Sequence, residues 1–114
     1  MPGSRCLHVC ILALGLALMA GCEREPPAPV AVELELLVAQ QQNFRGQLVQ
    51  TSGTVRGFDD PRHFWIEDDA LNRVELVPAD FVAEFVDREV VVIGRFTVPD
   101  GEQGRRIDVR TIRP

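Results

Sequence analysis

The stretch FRGQLVQTSGTV, residues 44–55, changes character after its first glycine. Val49, Thr51, Gly53 and Val55 fall on one side and Gln50, Ser52 and Thr54 on the other, the period-two pattern of a strand with one buried face. Gly53 is the informative residue, because a glycine inside a strand marks a bulge or sharp bend of the kind a small closed sheet needs at its corners. The arrangement recurs at residues 85–96, FVDREVVVIGRF, where Phe44 aligns with Phe85, Val49 with Val90, Gly53 with Gly94 and Val55 with Phe96. Both copies read as a helix end, a tight turn and a strand with a central glycine.

Outward from the first copy, the strand continues through Arg56 to Phe58, and DDPR (59–62) supplies turn chemistry. HFWIE (63–67) predicts a second strand with Phe64 and Ile66 inward and His63, Trp65 and Glu67 outward. After the polar DDALN (68–72), RVELV (73–77) places Val74 and Leu76 inward and Arg73 and Glu75 outward. PADFVAEFVDRE (78–89) predicts a helix with Phe81, Val82 and Phe85 on one face, Pro78 at its start and Asp80 as its cap. VVVIGRFTV (90–98) is apolar enough for a strand covered on both faces, PDGEQG (99–104) turns, and RRIDVRTI (105–112) ends the pattern with Ile107 and Val109 inward. Before the first strand, VELELLVAQQQNF (32–44) fits a helix through Leu34, Leu37, Val38 and Gln41 or a strand through Val32, Leu34 and Leu36. Its Leu, Glu, Ala and Gln content and the stop at Gly46 favour a short helix. The expected core is Val49, Val55, Phe64, Ile66, Val74, Leu76, Val90, Val92, Phe96, Ile107 and Val109.

Three strands, a helix and two more strands is the element order of the OB-fold. Through GQLVQTSGTV, HFWIEDD, VELV, FVDREVVVIGRF and IDV, residues 44–112 resemble OB-fold domains of the bacterial periplasmic and tRNA-anticodon-binding-like kind. The resemblance implies a mainly β, five-stranded Greek-key barrel, with a helix between strands three and four and a short N-terminal helix ahead of it. It also implies a ligand face over strands two and three.

The N-terminus carries an address. Arg5 precedes VCILALGLALMA (9–20), an apolar run of about a dozen residues, within the 7–15 of a signal-peptide core and short of the ~20 that span a bilayer. Met19-Ala20-Gly21-Cys22 resembles the lipobox of bacterial lipoproteins, which implies removal of residues 1–21 and lipidation of Cys22. Cys6 and Cys10 lie in the removed segment, so Cys22 has no disulfide partner in the mature chain. EREPPAPVA then reads as a proline-rich tether, giving residues 22–31 as lipidated cysteine plus spacer and 32–114 as the folded domain. Glu23 stands where inner-membrane lipoproteins carry a retaining Asp. The resemblance therefore implies the periplasmic side of the outer membrane, the lipid on Cys22 being the membrane contact.

Chemistry is scarce in the mature chain. Counting from Cys22, 11 Arg against 17 acidic residues gives −6, the wrong sign for a nucleic-acid binder. Ser52 and His63 are the only serine and histidine after Cys22, and both point away from the core, so a hydrolytic site is not expected. Zinc wants about four Cys or His ligands, and the acidic pairs Asp59-Asp60 and Glu67 to Asp69 lack the spacing of a calcium loop. No metal, cofactor or enzymatic activity is expected. The one tryptophan, Trp65, falls outward with His63, near Arg56 and Arg73, and these residues are the candidate ligand contacts. The alternative is that Trp65 is covered by the N-terminal helix or closes one end of the barrel. The resulting expectation is an envelope binding or assembly module for a protein, peptide or glycan. The alternative, by fold analogy, is a single-stranded nucleic-acid binder with Trp65, Phe64 and the arginines as a stacking groove.

Overall fold

The computed structural model describes residues 27–100 and 104–114; the expected signal peptide and Cys22 lie outside them. The chain runs through β1 (Val30–Ala31), α1 (Leu34–Ala39), α2 (Gln41–Phe44), β2 (Leu48–Asp59), β3 (Arg62–Glu67) and β4 (Arg73–Val77). It continues with α3 (Ala79–Val82), a 3-10 turn (Ala83–Phe85), β5 (Glu89–Thr97) and β6 (Arg106–Arg113). The fold is mainly β, a single six-stranded sheet in the order β1-β2-β3-β4-β6-β5 with an additional β2–β5 pairing. That pairing closes β2 to β6 into a ring. The short N-terminal helix and the helix between the third and fourth strands of the ring both lie where the sequence places them.

β2 makes the ring possible by changing partners along its length. Residues Leu48 to Thr54 pair with β5, and Thr54 to Asp59 pair with β3. Gly53 sits at the change, and a Cβ there would lie 2.6 Å from the Glu67 carbonyl oxygen. Gly94 of β5 pairs with both β2 and β6, at the register shift between Ile93 and Gly94, and a Cβ there would run into the backbone of Asp108 on β6. The two sequence copies face each other about a local two-fold: Val49 pairs with Gly94 and Gly53 with Val90. The turns obey the same symmetry. Gly46 N–H donates to Phe96 O and Phe96 N–H to Gln47 O, while Asp87 N–H donates to Val55 O and Val55 N–H to Arg88 O. Gly46 and Asp87 occupy equivalent positions, both with positive φ, 81° and 66°.

Val30 and Ala31, inside the expected 22–31 spacer, form β1, parallel to Val49 and Gln50 of β2. The cause is the partner change: this half of β2 pairs with β5 on one side and would otherwise leave an open edge on the other.

All of the expected core residues are buried. Leu34 and Leu37, one turn apart on α1, join them at 2% and 0% exposure, and Val82 of α3 is buried too. α3 is shorter than its sequence pattern. Val82 takes the core position, so Phe81, one residue earlier and about 100° round the helix, is left 44% exposed, and Phe85 is half-buried in the 3-10 turn. Asp80 is not the cap. Pro78 holds that position with extended backbone, and the Asp80 carboxylate instead accepts a 2.8 Å hydrogen bond from Arg62.

Candidate functional site

Phe64 and Ile66 are buried at 8% and 0% exposure, which pins the parity of β3 and turns His63, Trp65 and Glu67 outward. The sheet register then builds rows across β2, β3 and β4: Phe58 beside His63, Arg56 beside Trp65 beside Glu75, and Thr54 beside Glu67 beside Arg73. All four candidate residues, Arg56, His63, Trp65 and Arg73, therefore lie on one face.

Glu67 is the centre of that face. Its carboxylate, only 12% exposed, accepts the Trp65 indole N–H at 2.7 Å and Arg73 Nε at 3.1 Å, and lies 3.7 Å from Arg56 Nε. Arg56 also donates to Asp87 at 2.7 Å. That hydrogen bond is the main reason its guanidinium is held above its usual basicity, against a smaller opposing effect of desolvation. The Arg73 guanidinium stacks 5.3 Å over the Trp65 ring. The rings form a row, His63 5.3 Å from Trp65 and Phe58 6.1 Å from His63 between centroids. His63 Nδ1 lies 2.7 Å from the Pro61 carbonyl. A carbonyl can only accept, so Nδ1 is the donor in this contact, and Nε2 has no hydrogen-bond partner among the described residues.

Trp65 is half-buried by these neighbours on the outer side of the sheet. The N-terminal helix turns Leu34 and Leu37 into the core instead. Sequence reasoning passed over Phe58, Glu67 and Asp87 as site members. Parity alone would have found Phe58, which is 56% exposed and lies on the same outward series as Thr54 and Arg56. Asp87 reaches Arg56 only through the turn that docks against Val55, a contact no local pattern encodes.

The β3–β4 connection borders the face. With Thr54, Arg56 and Glu67, its residues Asp68, Asp69 and Leu71 line a pocket of ≈ 220 Å³. Desolvation alone would raise the Asp68 carboxyl, but hydrogen bonds from the Asn72 side chain, the Asn72 N–H and the Ala70 N–H outweigh it and hold it below its ordinary value. Leu71 is left at φ 64° and 60% exposed, a strained position for a branched side chain. Ser52 and His63 do not meet. Ser52 pairs with Val91 and His63 with Phe58, so they stand roughly 20 Å apart along β2 at ~3.3 Å per residue.

No protein-family profile matches the chain, and no curated protein matches it in sequence. Among the described residues, no helix is long and apolar enough to cross a membrane, and no cluster of three or more His, Cys, Asp or Glu side chains is placed to hold a metal ion.

Proposed function

We propose that this protein is an envelope lipoprotein anchored through Cys22, on the periplasmic side of the outer membrane, and that its ring of strands is an OB-like barrel serving as a binding or assembly module for a protein, peptide or glycan. β5 returns through α3 to lie beside β2, giving the order β5-β2-β3-β4 of a Greek key, with β6 completing the ring. OB-folds bind over their second and third strands, here β3 and β4, which carry His63, Trp65 and Arg73. The observation that carries the reading is the row of rings Phe58, His63 and Trp65, in which a nearly buried carboxylate fixes Trp65 and the Pro61 carbonyl fixes His63. Nucleic acid is the weaker reading, because the arginines beside the rings already spend their charge on Glu67 and Asp87.

The test is in the cell. Cys22→Ser should abolish incorporation of labelled fatty acid and release the domain from membranes, and a photo-crosslinking residue at position 58 should capture a discrete partner that is lost when Trp65 is replaced by Ala. Acylation that persists in Cys22→Ser would end the anchor reading. Crosslinks unaffected by Trp65→Ala in a folded protein would end the binding-face reading.

A further inference from the structure

We infer that the Phe58, His63 and Trp65 face docks a cationic, Arg- or Lys-bearing segment of a partner protein; this deepens, and rests on, the binding-module reading. Most of the polar groups at the centre of the face are already committed, with His63 Nε2 and the Glu75 carboxylate left open among the described residues. Glu67 takes the Trp65 N–H and Arg73, and Arg56 is held by Glu67 and Asp87. A sugar would need open donors and acceptors for its hydroxyls, and a phosphate would need unspent cations. What the face still offers is π surface, chiefly Phe58 and His63 beside the Trp65 ring on which Arg73 stacks, and carboxylates around it. Among the described residues no ion pair or hydrogen bond engages the side chains of Asp59 and Asp60, in the turn beside the Phe58–His63 pair, or of Asp69 at the other end. Ring faces flanked by carboxylates are the chemistry that recognises a cation. The charge of −6 counted from Cys22 draws the same partner from a distance.

The topology argues against the anchoring bilayer as occupant. Exposed Phe, Trp and Arg could otherwise be an interfacial belt. β1 runs parallel to β2 and pairs at Val49, so the chain before Val30 leaves past the Leu48 end. Phe58 lies roughly 30 Å further along β2, at ~3.3 Å per residue. The described chain therefore enters at the end of β2 opposite the aromatic row, which favours a partner protein over the bilayer there.

Trp65 is the chain's single tryptophan and sits in the face, so its emission reports occupancy directly. The full chain would be purified from bacterial membranes in detergent, with the mass of its N-terminal peptide recording the state of Cys22. It would then be titrated with a capped alternating Arg-Pro peptide, an alternating Glu-Pro peptide, chitohexaose and a thymidine oligonucleotide. The expected result is a saturable change with the Arg-Pro peptide that weakens as salt rises. Asp59→Asn combined with Asp60→Asn should weaken it roughly fivefold, and Phe58→Ala about threefold. All three positions are exposed, and circular dichroism checks that the variants stay folded. No response to the Arg-Pro peptide, an equal response to the Glu-Pro peptide, or tighter binding of chitohexaose or the oligonucleotide would overturn the inference. So would quenching of Trp65 by brominated lipid after reconstitution into vesicles. A positive titration with an unlipidated Cys22 would sink the anchor reading while supporting the docking one.

Discussion

Glu67→Ala is the substitution that asks most of the site. It removes the acceptor 2.7 Å from the Trp65 indole N–H and the partner 3.1 Å from Arg73 Nε. A donor stranded in a half-buried position costs ~1–1.5 kcal/mol, the lower part of the range for an unmade hydrogen bond. The Arg73 side chain is 53% exposed, so solvent screening reduces its pair with Glu67 to about 0.5 kcal/mol. The expected loss is therefore roughly 2 kcal/mol, a fall in Tm on the order of 10 °C for a domain of this size. Urea unfolding followed by Trp65 emission measures it, and the folded-state emission should also shift to the red as the indole is freed. A cycle with Trp65→Phe, followed by circular dichroism, isolates the bond: the aromatic exchange should cost about 1 kcal/mol in the parent and little once Glu67 is gone. A Glu67→Ala protein with unchanged emission and a loss below ~0.5 kcal/mol would refute the view of Glu67 as the centre of the face.

Thr51 is 3% exposed and its hydroxyl has no hydrogen-bond partner among the described residues, so Thr51→Val should stabilise by about 1 kcal/mol, read as a higher urea midpoint at unchanged slope. Gly94→Ala should cost more than ~2 kcal/mol, because the new methyl meets Ile107 Cγ2 at 2.6 Å and the backbone of Asp108; a near-native melt would show that β5 and β6 do not approach as described. Leu71→Gly relieves the positive φ of an exposed residue and should gain about 0.5 kcal/mol after the glycine's extra unfolded-state entropy, and a measurable loss would mean that the leucine packs. The Asp68 carboxyl is held below its ordinary 3.8, so its contribution to stability is complete above that pH and is lost as pH falls through the lower folded-state value. Melts carried down through this acid range should fall less steeply for Asp68→Asn than for the parent, and parallel acid limbs would remove Asp68 from the account.

Local patterning fixed much of this molecule. Period-two alternation around Val49, Phe64, Val74 and Ile107 settled the strands and which side chains they bury, because a half-buried strand cannot shift register by one residue without exposing its whole apolar set. The two glycines at the bends were legible for the same local reason, and so was the gathering of Arg56, His63, Trp65 and Arg73, which needs only strand parity and neighbouring strands. Tertiary structure decided what parity does not encode. β1 exists because the partner change in β2 leaves an edge to be covered. α3 stops after a single turn, and its Phe81 faces solvent, because Val82 fills the core position and the chain must turn at Asp87 to bond Val55. Asp80 went to Arg62 rather than to a helix end, and Asp87 reached Arg56, through contacts between residues distant in the chain. Those pairings depend on distances between elements, and such distances are set only when the ring closes.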